Sequence, residues 1–267
     1  MALSIESPTK GQKFIQGKIV KFHGHATDGA TKVTLTTPFN GAKFDLGTFL
    51  VNSGNWGAMP KFNRAGVREV IAHALNDEGE VLGTASVKFV VAPDPDALLP
   101  VQGSVGNPHV TTKFKEKVIK IADKLETDPN FLMAIMSFET GGSFDPAQQS
   151  HAGNGATGLI QFLKSTAKSL GTTTAELAAM TSVEQLDFVE KFLLPQKGKI
   201  QTIEDIYMAV LFPKAVGKPN SFVLFQTPSQ AFKLNKGLDA DKDGKVTKAE
   251  AAARPRKILE DAKAKVK

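Results

Sequence analysis

Cysteine is absent from the 267 residues, so the chain has no disulfide framework and no thiol chemistry, and redox arguments leave its compartment open. Nowhere do about eighteen apolar residues run together, which excludes an α-helical membrane span. The five histidines, His23, His25, His73, His109 and His151, show no metal-ligand spacing. Neither an HExxH pattern nor a cysteine pair is there to make zinc plausible. The opening MALSIESPTK lacks both the basic start and the apolar run of a secretory signal. A protein made in the cytoplasm without a signal peptide is the expectation. Tryptophan and tyrosine occur once each, as Trp56 and Tyr207, against eighteen phenylalanines. A phenolic hydroxyl at position 207 is therefore not an accident of aromatic-rich composition.

What is present suggests a folded chain of about two domains, with 41% hydrophobic residues to supply a core in each. The formal charge of +6 and pI near 9.3 suit an anionic partner. Nucleic acid is not expected, because the basic residues are scattered. Arg254, Arg256, Lys257, Lys263, Lys265 and Lys267 read most simply as the solvated face of a terminal helix.

Residues 1–92 carry strand patterns. Val20, Phe22, Gly24 and Ala26 alternate with Lys21, His23 and His25, and Val33 with Leu35. Asn76 to Glu80 offers a hairpin turn, and about seven short strands fit, so an all-β immunoglobulin-like sandwich is expected. Trp56 reads as a core or strand-end aromatic, with sugar stacking the less favoured alternative. Residues 93–108 are proline-rich and expected to form an extended spacer, followed by a mainly α domain over 109–267. Phe114, Val118, Ile121 and Leu125 mark its first helix, Thr181 and Glu184 form a capping box, and Ile203 to Phe212 makes a further helix.

The richest stretch runs from Phe138 to Phe162. Before it, Asp128 can cap a helix whose first turn holds Pro129 and which Gly141 or Gly142 can end. Leu132, Ile135, Met136 and Glu139 share one face of that helix. The carboxyl of Glu139 thus lies on an apolar stripe near the negative end of the helix dipole, and both factors disfavour its anion. An acid kept protonated near neutral pH is what protonating a glycosidic oxygen needs.

A second pattern runs from Asp239 to Glu250 within the segment 230–267. Asp239, Asp241 and Asp243 offer side-chain oxygens, Gly244 permits a sharp turn, Lys245 offers its carbonyl, Thr247 sits at the ninth position and Glu250 at the twelfth. This is the spacing of an EF-hand calcium loop. Four carboxylates on twelve residues repel one another unless a cation sits among them, so a single structural Ca2+ is expected to order the loop.

At the first of these stretches the chain resembles the soluble-type lytic transglycosylases of the lysozyme superfamily. The resemblance is carried by Glu139-Thr140, by Phe144-Asp145-Pro146 with Ser150, by Gly155-Ala156-Thr157-Gly158-Leu159-Ile160-Gln161, and by Thr166-Ala167. Thr140 stands where the family has Ser, Asp145 where it has Asn, and Ile160 where it has Met. Of the later Ala-Tyr-Asn motif only Tyr207 is matched, with Met208 in the Asn position.

The resemblance implies a lysozyme-like fold and cleavage of peptidoglycan at the MurNAc-GlcNAc bond, leaving 1,6-anhydro-MurNAc ends. It implies Glu139 as the catalytic acid, Ser150 and Gln161 as holders of the muramoyl and N-acetyl groups, and Tyr207 as a positioning group. Two alternatives stay open: a hydrolytic muramidase whose second carboxylate is Asp145, Glu176, Glu184 or Asp187, and a non-catalytic wall-binding or assembly protein. An enzyme for peptidoglycan without a leader implies delivery to the periplasmic wall by a phage tail, a lysis system or a secretion apparatus such as type VI.

Overall fold

The computed structural model describes residues 2–39, 42–64, 66–150 and 153–266; His151 and Lys267 lie outside the described residues. The chain divides into two compact units, Met1–Asp94 and Pro95–Lys267. The first is sheet-rich and the second mainly helical.

The first unit contains strands β1 (Lys13–Ile15), β2 (Phe22–His25), β3 (Lys32–Phe39), β4 (Ala42–Leu50), β5 (Asn55–Ala58), β6 (Gly66–Leu75) and β7 (Val81–Ala92). Five of them form a sheet in the order β1-β7-β6-β3-β4, and β2 pairs with β5 in a second sheet. Alternation decides which side faces in: Val33, Leu35, Val70, Ala72 and Ala74 are fully buried, and so are Phe22 and Trp56 from the smaller sheet. The two sheets thereby share one core, where the rings of Phe14, Phe22 and Phe62 pack edge-on against Phe89 at 5.1–5.8 Å.

Glycine is required at position 24, because a Cβ there would come within 2.0 Å of the Ser4 carbonyl oxygen. The hairpin at Asn76–Glu80 forms as the sequence predicts, with Glu80 N–H donating to the Asn76 side chain. Trp56 is 4% exposed and its Nε1 donates to the Ser4 carbonyl at 3.2 Å, so its ring is core and offers no face to a sugar. His23 and His25 both reach Glu6, at 3.5 and 3.2 Å.

The second unit is built from α1 (Thr112–Leu125), α2 (Pro129–Glu139), α3 (Lys164–Ser169), α4 (Thr174–Ala179), α5 (Ser182–Leu193) and α6 (Ile203–Leu211), then β8 (Val223–Gln226), α7 (Gln230–Asn235), β9 (Lys245–Thr247), α8 (Lys248–Ala251) and α9 (Ala253–Ala264). The starts of the helices follow their caps. Thr111 accepts from Phe114 N–H, and Asp128 accepts from Asn130 N–H with Pro129 in the first turn. Thr181 and Glu184 form the reciprocal box of α5. One core joins Phe114, Val118, Ile121 and Leu125 of α1 to Leu132, Ile135 and Met136 of α2, and takes in α5, α6 and α9. None of the described helices is long and apolar enough to cross a membrane.

The segment expected as an extended spacer differs from that expectation. From Pro95 onward it belongs to the helical unit, and Val101 and Ser104 are buried. Ser137 Oγ donates to the Gln102 carbonyl at 2.7 Å, and Asn107 Nδ2 donates to the carbonyls of Gly103 and Ser143 at 2.8 and 2.9 Å. Proline stiffens a chain without preventing a flank from packing. Here Val101 and the polar groups around it have partners at the end of α2, which they buttress.

Candidate active site

Helix α2 ends at Glu139, and the residues just beyond it make that end rigid. Thr140, 4% exposed, donates its hydroxyl to the Met136 carbonyl at 2.6 Å and accepts from Phe144 N–H at 3.0 Å. The chain then reverses through Gly141 and Gly142 at φ of +62° and +89°. Gly103 lies so close beneath this turn that a Cβ on it would fall within 1.9 Å of the Gly142 oxygen, so neither a side chain nor a shift of the turn is accommodated.

The loop from Gln148 to Phe162 faces this helix end. Ser150 N–H donates to the Ala156 carbonyl, and Thr157 and Phe162 exchange backbone hydrogen bonds of 3.1 and 2.8 Å. Its far side is pinned by Gln185 of α5, a fully buried residue. Gln185 Oε1 accepts from Leu159 N–H at 2.7 Å, while its Nε2 donates to the carbonyls of Pro146 and Leu177 at 3.0 and 2.8 Å. Gly158 sits against this amide, and a Cβ there would lie 2.2 Å from Oε1. The motif's second glycine is therefore a close approach as well as a left-handed turn, at φ +83°. Leucine at position 185 would leave three buried backbone groups unpaired, each costing about 1–3 kcal/mol. Gln185→Leu should unfold at markedly lower denaturant than the wild type, with the slope unchanged.

Between helix end and loop lies a cleft of about 980 Å³ whose lining includes Glu139, Ser150, Gln161, Tyr207 and Arg254. The structure thus brings together all four residues expected at the sugar site. Glu139 is half-buried and its carboxyl has no hydrogen-bond or ion-pair partner among the described residues. Burial raises its pKa from 4.5 to about 7.

Tyr207, on α6, packs its ring edge-on against Phe138 at 5.5 Å. Its pKa is raised by burial first and by the charge of Glu139 second, with Arg254 opposing. Gln161, itself in the left-handed region at φ +52°, donates its amide Nε2 to the carbonyls of Gln148 and Gly158. Its Oε1 is then the half of the amide with no partner among the described residues. Met208, where the resembled family has Asn, is fully buried in the core.

The other carboxylates named by sequence lie elsewhere. Asp145 Oδ1 caps a turn at Ala147 N–H, Glu176 and Glu184 close the capping boxes of α4 and α5, and Asp187 pairs with Lys117 at 2.8 Å. None of the four lines the cleft.

In the C-terminal loop the carboxylates of Asp239, Asp241 and Asp243 lie within 4.8 Å of one another. They also fold the loop: Asp243 N–H donates to Asp241, Gly244 N–H to Asp239 and Lys245 N–H to Asp243, at 2.8–3.1 Å. Asp239 Oδ1 is buried with no hydrogen-bond partner. An orphaned carboxylate oxygen beside two more, all hard donors, fits a divalent cation such as Ca2+.

Lys245 lies in β9, which pairs antiparallel with β8. Thr247 and Glu250 are engaged in local hydrogen bonds. Thr247 caps α8, and Glu250 accepts from Thr247 N–H and Oγ1 and, through Oε1, from Ala240 N–H at 3.0 Å. Glu250 thus closes the loop through backbone contacts.

Sequence reasoning misses three residues of this site. Asn107 is hidden in the supposed spacer. Gln185 carries a signal, a long amide on the buried stripe that Ser182, Leu186 and Val189 share. Arg254 carries none, since charge at a helix start reads as solvated.

Solved structures similar to part of the chain include fibronectin(III)-like modules of Clostridium thermocellum CbhA, at 16% identity over 34% of this chain and 96% of that one, TM-score 0.29. CopC from Methylosinus trichosporium OB3b is similar at 14% identity over 34% of this chain and 93% of that one, TM-score 0.25. Likenesses of that size carry no assignment. No curated protein matches the chain. The stretch that bears Glu139, Ser150 and Gln161 falls within residues 116–187, which match the model of the transglycosylase SLT domain, so this part of the chain is similar to a lytic transglycosylase catalytic domain.

Proposed function

We propose that the helical unit cleaves the glycan strands of peptidoglycan as a lytic transglycosylase. The observation that carries this reading is a single carboxyl, Glu139, without a partner among the described residues, whose pKa burial raises to about 7 in a cleft with Ser150, Gln161 and Tyr207. The match over residues 116–187 supports it.

In the proposed reaction Glu139 gives its proton to the oxygen joining C1 of MurNAc to GlcNAc as that bond breaks. The carboxylate so formed then takes the proton of the muramoyl 6-hydroxyl, whose oxygen closes on C1. The products are a GlcNAc end and a 1,6-anhydro-MurNAc end, and Glu139 is protonated again. Gln161 Oε1 and Ser150 would hold the sugar's N-acetyl and muramoyl groups, and Tyr207 would order the acid. Water is not a reactant, and one acid suffices. A paired-carboxylate muramidase would need a second carboxylate roughly 5–9 Å away, and Glu139 is the lone carboxylate among the described residues of the cleft.

Mass spectrometry of the muropeptides released from sacculi tests the reading. Anhydro ends are expected; reducing ends would replace it with a hydrolase, and no release would leave a wall-binding protein.

Within the same proposal, the first unit is an immunoglobulin-like module, supported by its two sheets around one core. The C-terminal loop is a lone EF-hand-like site for structural Ca2+, supported by the grouped aspartates and the orphaned Asp239 oxygen. Calcium at about a hundred times its dissociation constant would add about 2.7 kcal/mol to the folded state. Thermal unfolding of the helical unit should therefore move up with Ca2+ and down with chelator. An unchanged midpoint removes the metal from the account.

A further inference from the structure

We infer that Arg254 is a carboxylate-binding residue of the cleft, reading an acid carried on the muramoyl side group or on the peptide attached to it. This rests on the proposal that the helical unit acts on peptidoglycan.

Arg254 opens the first turn of α9, directly after the calcium loop and its helix α8. Among the described residues lining the cleft, it and Glu139 alone carry formal charge. Its neighbours are committed. Arg256 Nε bonds Glu204 on α6 at 2.5 Å, and its Nη2 donates to the Ala249 carbonyl; Lys257 pairs with Asp261 at 3.0 Å; Lys248 is buried against Asp205. Arg254 is exposed, and no carboxylate pairs with it among the described residues. The turn that presents it is anchored before it by Ala252, which is buried in the core, and after it by buried Pro255 and by Arg256 through Glu204. The backbone that carries this cation is therefore anchored beside a substrate-sized cleft, and no carboxylate among the described residues pairs with its side chain.

Glu139 is not the counter-ion of Arg254. Burial alone accounts for the raised pKa of the acid, whereas an adjacent guanidinium would lower it. Arg254 lines the cleft together with Tyr207. The sugar rings of the strand offer only hydroxyl and N-acetyl groups, and a guanidinium's fork of donors matches a carboxylate in two bonds. Two carboxylate sources exist on such a strand: the lactyl group of muramic acid when no peptide is attached, and the peptide's own acids when one is.

The test uses the full chain and soluble glycan strands, either bearing peptides or stripped of them by an amidase. Each kind is also prepared with its carboxylates converted to methylamides. Arg254→Gln should raise KM about tenfold to a hundredfold on charged strands, with kcat little changed, and should cost nothing on the amidated ones. Loss on peptide-bearing strands alone assigns the peptide's acid; loss on stripped strands alone assigns the lactyl group. Equal loss on charged and amidated strands, or no loss on either, overturns the inference.

Calorimetric binding in the Glu139→Gln background decides the matter without turnover. The charged strands should bind about tenfold more weakly when Arg254→Gln is added, and unchanged binding overturns the inference. If the wild type cleaves nothing yet this difference persists, the transglycosylase reading alone fails.

Discussion

On the proposed mechanism Glu139→Gln should lose at least about a hundredfold, and up to about ten-thousandfold, of the rate of strand cleavage, because Glu139 is the one carboxyl among the described residues of the cleft. Wild-type activity should fall as pH rises through about 7, the value to which burial lifts this acid.

The same substitution should make the protein more stable, in a pH window set by two values. Below the unfolded carboxyl's 4.5 both states hold the proton and Glu139 has no effect on stability. Between 4.5 and about 7 the unfolded chain releases its proton while the folded one keeps it, so stability declines as pH rises. Above the folded value the full penalty applies. A shift of that size corresponds to about 3 kcal/mol at most, and less for a half-buried carboxyl in contact with the solvent of the cleft. Glutamine removes the penalty. Denaturant unfolding should therefore show the variant gaining about 1–3 kcal/mol near pH 8 and nothing near pH 4. A variant that is inactive but no more stable at the higher pH would mean that its carboxyl is solvated, and the acid's proposed protonation would go with it.

Lys248→Met should be strongly destabilising. Lys248 and Asp205 are 2% and 4% exposed, and Lys248 Nζ bonds Asp205 Oδ1 at 2.5 Å and the Lys218 carbonyl at 2.8 Å. Burial by itself would raise the Asp205 pKa. The hydrogen bond from Lys248, the amides of Gly217 and Gln201 and the lysine's charge outweigh it, and the carboxyl is held below its ordinary value. Methionine fills much of the same volume but leaves that anion buried without its cation, at a cost of about 3–5 kcal/mol. The midpoint of thermal unfolding should drop by on the order of 10 °C.

Asp205 shares α6 with Tyr207, and Lys248 opens the helix that follows the aspartate loop. The damage should therefore extend to KM for the glycan. Asp205→Asn/Lys248→Met, which removes both charges, should recover much of the stability. If the double variant is as unstable as the single one, packing and not the unpaired anion is the cause.

How much of the molecule is legible in the sequence varies with the kind of signal. The start of α2 is readable because Asp128 and Pro129 are local devices, and the hairpin at Asn76 because turn chemistry acts over four or five residues. The spacing of Glu139, Gly158 and Gln161 is recognisable as a pattern, but not its supports. Gln185 pins Gly158 from 27 positions downstream, and Asn107 reaches the end of α2 from a stretch whose prolines suggest an open chain. In the loop from Asp239 to Gly244 the aspartates come together as their spacing suggests. The glutamate at the twelfth position also closes the capping box of α8 with Thr247 and accepts from Ala240 N–H.

By itself the sequence determined where helices start and turns fall, and which acid could serve as a proton donor, since caps, glycines and apolar spacing act through neighbours within one or two turns of chain. Only the tertiary structure decided that this acid is desolvated, that the segment after Asp94 supports it, and that Arg254 shares its cleft. Burial and the approach of charges depend on residues distant in sequence, and those distances exist only once the helices have packed.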